Sequence, residues 1–497
     1  MKDNGNPEDL EPQQGSGDAV FSVPLAHSGA PARLVTLFGS LTQSRQVVVR
    51  YVFDLGDPDY RIIERRIDGP LASITPLMPA ATWYERELHD QYGVNLTGHP
   101  DLRPLLFHEN WSEEIHPMLK TPSEIPWVER DYPFLKVQGQ GVCEVAVGPV
   151  HAGIIEPGHF RFSVMGDLVL HLELRHFYTH KGTEKLFEGS TADSGVIIAE
   201  SVSGDNCFAH AVAYCQAVEN AGAVSAPLRA AAIRLIGLEL ERLIAHIGDV
   251  GFLANDVGFV VAHALASSIK ESLLRASARC FGTRYWRGVA CPGGVRIDLD
   301  AKQGAMLSEA VARAAREFAT LAHVILETPS VQSRFETAGV LYENFAEDLA
   351  VVGPVARASG VDLDVRRDHP YGRYRDLQLE VPTIHYGDVL ARARIRIQEA
   401  AVSARLICET LGALPPGPTR LAVPFDGQRQ GHSAVESPRG ELFYWVEIED
   451  GRLRRCHVKS PSFQNWPAMP LAVAGNIIAD FPLINKSFNL SYSGCDR

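Results

Sequence analysis

The chain has 497 residues, 45% of them apolar and 22% charged, an ordinary globular composition with room for roughly two to four domains. A net charge of -13 argues against a nucleic-acid partner. Eight cysteines with no Cys-x-x-Cys spacing argue against a disulfide framework and against an iron-sulfur cluster held by this chain alone. Residues 1–18 are polar, acidic and rich in Gly and Pro, which reads as a disordered lead-in without a signal peptide. Residues 19–135 read as one α+β unit, with a buried strand at Val47 to Phe53 ended by Gly56-Asp57-Pro58 and a helix from about Ala80 to Tyr92. A linker is expected at 130–142, then strands at Phe160 to Val164 and Leu168 to Leu174 around the turn Met165-Gly166-Asp167. From 206 to 413 the apolar spacing is helical: Ile236, Leu240, Leu243 and Ile247 share one face, and long helices are expected at 300–327 and 388–412. Strands return at Glu441 to Ile448 and Arg454 to Val458, and no stretch approaches the roughly 20 apolar residues of a membrane span. The predicted class is α+β, with a second domain, 143–497, that is a helical bundle with small β elements.

Two groups of motifs carry a family resemblance. Trp83-Tyr84-Glu85-Arg86-Glu87-Leu88-His89-Asp90-Gln91-Tyr92-Gly93, continued by Gly98-His99-Pro100-Asp101-Leu102-Arg103, resembles the signature of the C-type (30-kDa-like) subunit of NADH-quinone oxidoreductase, complex I. That resemblance implies a docking module in which Glu85, Arg86 and Asp90 hold a scaffold by ion pairs. The second domain resembles the D-type subunit of complex I and, more closely, the large subunits of group 4 energy-converting nickel-iron hydrogenases. The matches include Gly148-Pro149-Val150-His151, Gly158-His159-Phe160-Arg161, His180-Lys181-Gly182-Thr183-Glu184-Lys185, Glu239-Leu240-Glu241-Arg242 and Glu436-Ser437-Pro438-Arg439. Fusion of the two modules is typical of formate-hydrogenlyase-like large subunits.

The hydrogenase resemblance implies a Cys-x-x-Cys pair at each end of the second domain, because a redox-active nickel-iron centre needs soft thiolate donors. Here the matching positions are Ser203, Asn206, Ser491 and Gly494, and the chain stops at Arg497 without the tail that many hydrogenases cleave. No metal is expected there. Cys207 and Cys495 each lie one residue beyond a lost ligand, which on a helix turns a side chain by roughly 100°, so they read as small buried residues.

The resemblance also suggests proton and quinone chemistry. Glu184 matches a glutamate that relays protons beside the metal, and Asp205 is a new charge in the old metal loop. Both are proton-transfer candidates, with an ion pair and a helix N-cap as the respective alternatives. Glu184 is expected near Asp205 or the Ser491 to Cys495 segment, with one carboxyl pKa raised. His151, His159 and His210 are candidates to line a quinone cavity, although the tyrosine that complex I uses there falls near Gly204. Glu239, Glu241, Arg242, His246 and Asp249 read as a structural cluster pairing along one helix.

The implied protein is a large subunit of a membrane-associated, complex I-like or hydrogenase-related oxidoreductase, shaping an electron-acceptor cavity and coupling electron transfer to proton movement. It would bind no cofactor alone except a quinone. A small subunit would supply a [4Fe-4S] cluster, and membrane-arm subunits would hold the assembly to the cytoplasmic side of the inner (plasma) membrane. The alternatives are a non-catalytic structural subunit and a hydrogenase with altered ligands.

Overall fold

The computed structural model describes Pro24 and residues 32–120, 126–151 and 155–497; the expected lead-in at 1–18 lies outside the described residues. Strands β1 (Arg33–Leu41), β2 (Val47–Asp54) and β3 (Arg61–Arg66) form an antiparallel sheet in that order. β1 and β2 are buried nearly end to end, so the period-2 signal that marks a half-exposed strand is missing. One face is covered by helix α1 (Thr82–Tyr92), whose Tyr92 hydroxyl donates to the Gly39 carbonyl at 2.7 Å. Only glycine fits at 39, because a Cβ there would lie 2.6 Å from the Tyr92 ring. The other face lies against the C-terminal sheet, where Phe38 stacks on His457 at 4.1 Å.

The charged residues of α1 hold a scaffold, but mainly through backbone groups rather than the expected ion pairs. Glu85 accepts from Ile74 N at 2.8 Å and from the Thr75 hydroxyl at 2.6 Å, and Asp90 accepts from Leu105 N and Leu106 N, both at 2.8 Å. Arg86 donates to the Arg103 and Pro104 carbonyls, and its nearest carboxylate, Asp101, is 3.9 Å away.

Residues 126–138 have no regular secondary structure. The antiparallel sheet β4 (Val142–Val147), β5 (His159–Met165) and β6 (Leu168–Arg175) follows; β4 begins where the linker was expected to end. Helices α2 (Thr183–Phe187), α3 (Ala192–Glu200), α4 (Cys207–Ala221), α5 (Leu228–Asp256), α6 (Val260–Phe281), α7 (Ala301–Glu327) and α8 (Val389–Gly412) build the bundle. α5 is its axis: at 1.5 Å per residue it runs about 44 Å, packed between α6 and α8. α7 starts at a capping box between Asp300 and Gln303, and the Asp388 side chain caps α8. The third antiparallel sheet is β7 (Gln428–Ser437), β8 (Gly440–Glu449) and β9 (Arg452–Lys459), with α4 laid against it. The chain closes with α9 (Phe481–Phe488) and α10 (Tyr492–Asp496).

The polar cluster on α5 is structural but does not pair mainly along its own helix. Glu239 pairs with Arg366 at 3.1 Å and accepts from Ser403 at 2.6 Å, and His246 bonds Glu399 at 2.8 Å. The within-helix contacts are longer, 3.3 Å for Arg242–Glu239 and 4.0 Å for His246–Asp249.

Candidate functional site

The loop between α3 and α4 and the start of α10 meet at one corner. Ser203 Oγ lies 3.0 Å from Ser491 Oγ, although the two residues are 288 apart in the chain. Ser491 caps α10 by accepting from Gly494 N at 2.9 Å. A Cβ at Gly494 would come within 3.0 Å of Ser491 Oγ and 3.4 Å of Ser203 Cβ, so packing fills this corner. The structure thus brings Ser203, Ser491 and Gly494 together, with Asn206 bonded to Ser203 through its backbone N–H at 3.3 Å. The donors on offer are two serine hydroxyls bonded to each other and the Asn206 amide oxygen, which has no partner among the described residues, a poor set for a soft metal. Among the described residues no group of three or more His, Cys, Asp or Glu could hold a metal ion. Cys207 donates to the Tyr285 carbonyl at 2.9 Å, and burial raises the pKa of both the Cys207 and the Cys495 thiols, which are free.

A cation bridges the two halves of this corner. Lys181 Nζ donates to the Val202 carbonyl at 3.2 Å and the Ser493 carbonyl at 3.3 Å, the residues just before Ser203 and Gly494. Burial lowers its pKa.

Asp205 stands at the rim of the same corner. Its carboxylate is clamped by Arg439, with Nη2 at 2.6 Å, and accepts from the Ser203 hydroxyl at 3.1 Å. Crowding by protein would raise its pKa, but Arg439 outweighs that and holds it low. Although its surroundings are dense, 57% of the side chain remains solvent-accessible, so it opens to water on one side. Asp205 is not the cap of α4. Glu241 on α5 does that work, accepting from Phe208 N at 2.8 Å and Ala209 N at 3.0 Å.

Glu184 and Asp205 are not bonded to each other, and neither has the raised pKa expected of one of the two. Glu184 lies at the junction of the two domains, salt-bridged to Arg455, 2.9 Å from His457 Nδ1 and 3.3 Å from Arg497 Nη1. Arg497 also reaches Glu87 on α1 at 2.7 Å. Burial alone would raise the Glu184 pKa, but Arg455, the His457 ring and Arg497 together hold it well below the usual carboxylate range. His457 is held neutral by burial, its pKa lowered to about 4.

The three histidines do not converge. His151 Nε2 lies 2.8 Å from the Gly158 carbonyl and His159 Nδ1 lies 3.2 Å from the Gly148 carbonyl, so the two rings brace the two sides of one loop base. His159 Nε2 has no partner among the described residues, and burial lowers the His159 pKa. His210 is set apart in the core, its Nδ1 2.8 Å from the Tyr444 hydroxyl; burial, then Lys181, takes its pKa down to about 3.

Sequence reasoning missed Asp496. Its Oδ2 accepts from Thr179 N at 3.0 Å and the Thr179 hydroxyl at 2.7 Å, while Oδ1 has no partner among the described residues. Burial raises its pKa to about 6 against those bonds. The signal was at hand, since Asp496 and Arg497 directly follow the C-terminal motif and Arg439 lies inside another. Their roles depend on partners hundreds of residues away.

Comparisons with known proteins agree with this architecture. The family model for the respiratory-chain NADH dehydrogenase 30 Kd subunit matches residues 29–123, and that for the 49 Kd subunit matches 256–425 and 426–497. Formate hydrogenlyase subunit 5 of Escherichia coli is 33% identical over 91% of this chain and 79% of its own length. The C/D subunit of NADH-quinone oxidoreductase from Methylococcus capsulatus is 25% identical over 86% of this chain and 82% of its own. The solved structure of the membrane-bound sulfane sulfur reductase, an archaeal respiratory membrane complex, superposes with a TM-score of 0.67 at 26% identity, covering 72% of this chain and 99% of the matched one. The fold is therefore that of the fused complex I-type large subunits. The chain belongs to the family of group 4 hydrogenase-like large subunits that includes formate hydrogenlyase subunit 5. Its relatives are subunits of membrane-bound hydrogenase and complex I-like complexes, while no helix among the described residues is long and apolar enough to cross a membrane.

Proposed function

We propose that this chain is the large subunit of a complex I-like oxidoreductase that works without a nickel-iron centre, receiving electrons from a [4Fe-4S] cluster in a small partner subunit. It is held through membrane-arm partners at the cytoplasmic face of the inner membrane. The observation that carries this reading is the Ser203–Ser491 contact at 3.0 Å: the two ends of the ligand frame still meet, but as hydroxyls bonded to each other. In this reading the electron acceptor is a quinone-type compound approaching the loop braced by His151 and His159; His159 gives its ring proton from Nδ1 to the Gly148 carbonyl, so its unpartnered Nε2 is the group free to accept from the hydroxyl of the reduced form. Glu184 and Asp205, held as carboxylates by arginines, set the field along the proton route, and Asp496 is the group poised to gain and lose a proton near neutral pH.

The test is elemental analysis of the purified complex together with binding of a quinone analogue. Absence of stoichiometric nickel with saturable analogue binding, weakened by His159→Ala, supports the reading. Stoichiometric nickel with hydrogen uptake refutes it. No nickel and no analogue binding moves the chain to the second reading, a structural subunit, which the filled corner at Gly494 favours.

A further inference from the structure

A small cavity opens beside Asp205, between α5 and α6, with a volume of about 100 Å3. That is room for a few water molecules, each needing polar partners. Asp205, Glu241, Asp249, Lys270 and Trp286 supply them, and the half-exposed rings of Phe252 and Tyr285 stand at its outer edge. The Trp286 indole is 1% exposed, lines this cavity, and its Nε1–H has no hydrogen-bond partner among the described residues. A buried donor left unpaired costs free energy unless something in the cavity accepts from it. Lys270 lies against α5 on the same wall; a Cβ at Gly248 would be 3.2 Å from its Nζ.

We propose that this cavity is a proton-loading chamber, in which Glu241 takes a proton from water entering past Phe252 and Tyr285 and passes it, through water held by the Trp286 indole, toward Asp205. The proposal deepens the reading above and rests on its proton coupling. Only O–H bonds form and break: one carboxylate oxygen gains a proton from hydronium and returns it to the next water, with no electron moved. Around Glu241 the charged and titratable groups are Asp205 and Cys207 from the α3–α4 loop and α4, Asp249 on its own helix, Lys270 on α6, and Arg284 and Arg439 from the flanking segments. Burial raises the Glu241 pKa to about 8, against the two backbone N–H bonds and with help from Asp205, so the group changes charge within the working range of a cell. A purely capping carboxylate would not need a cavity at its back or an unpaired indole in the cavity lining.

The test is infrared difference spectroscopy on the full purified chain between pH 6 and pH 10, with Glu241→Gln and Trp286→Phe beside the wild type. The expected result is a buried protonated carboxyl band that bleaches with a midpoint near 8, is absent in Glu241→Gln, and shifts in Trp286→Phe, which leaves the carboxylate and its helix contacts intact. In the assembled complex Glu241→Gln should cut proton-coupled turnover by roughly 10-fold or more and remove the limb of its pH profile near 8. No titrating carboxyl band, or a band lost in Glu241→Gln with turnover unchanged, overturns the chamber and leaves the proposed function standing. A wild-type complex that moves electrons without protons overturns both, and the infrared titration then marks Glu241 as a structural acid.

Discussion

Replacing Arg497 with methionine keeps most of the side-chain volume and removes the guanidinium. That group is 2% exposed, bonds Glu87 at 2.7 Å, Glu184 at 3.3 Å and the Val458 carbonyl at 2.7 Å, and lies 4.3 Å from the Phe463 ring centroid. It is the cation that ties α1 of the first domain to the sheet of the second. Without it two buried carboxylates share Arg455 as their remaining close guanidinium, and removing one partner of a buried pair costs about 3–5 kcal/mol. Burial already raises the Glu87 pKa against the pull of Arg497, so in Arg497→Met the Glu87 carboxyl should hold a proton more readily than in wild type. The double variant Glu87→Gln/Arg497→Met should therefore be less damaged than the two single losses added together, with a coupling of about 1–3 kcal/mol. The assay is equilibrium urea unfolding at pH 7 for the four members of the cycle. A loss below about 1 kcal/mol in Arg497→Met would match a solvated surface pair and would refute the claim that this cluster locks the domains together.

Other outcomes follow from the same geometry. Asp496 is raised by burial from 3.8 to about 6, so its stabilising contribution is full below pH 3.8 and is lost as pH climbs through 6; at 1.36 kcal/mol per unit this is about 3 kcal/mol. Asp496→Asn should match wild type at pH 4 and exceed it at pH 8 in chemical denaturation; equal stability at both would contradict the assignment. The double variant Ser203→Cys/Ser491→Cys should close a disulfide under mild oxidation, because the two hydroxyl oxygens are 3.0 Å apart. Two free thiols by mass spectrometry after oxidation would mean the corner is open. His369 donates to the Pro58 carbonyl at 3.1 Å and faces Asp54 at 3.2 Å, and Asp54 raises its pKa despite burial. Its contribution to docking the first domain is full below its unfolded pKa and is lost as pH rises through the higher folded one. Hydrogen exchange across residues 54–60 should therefore quicken from pH 6 to pH 9 in wild type and change less in His369→Gln.

Local signals carried a good part of this molecule. The starts of α7 and α8 were readable to within about one residue because Asp300 and Asp388 cap them through bonds spanning only three residues. Strands β5 and β6 were readable because a Met-Gly-Asp turn separates two apolar runs, and the long motifs were enough to name the family. β7 escaped because Gln428-Arg429-Gln430-Gly431-His432 is polar, and it is a strand only because β8 pairs with it and α4 covers it. The same limit applies to the chemistry. Sequence could say that four thiolates are missing and that Ser203, Asn206, Ser491 and Gly494 should still converge, but not that the Ser203 and Ser491 hydroxyls would bond each other at 3.0 Å. It left Glu184 open between a proton path and an ion pair, and could not name Arg455 and Arg497, brought in from 271 and 313 residues away, as the partners that hold it charged. Nor could it show that burial would raise the pKa of Asp496 to about 6 and of Glu241 to about 8, since neither has a guanidinium hydrogen-bonded to it among the described residues. A pKa is set by the charges and the dielectric around a group, and those come from whatever the packing brings alongside it, not from its neighbours in the chain.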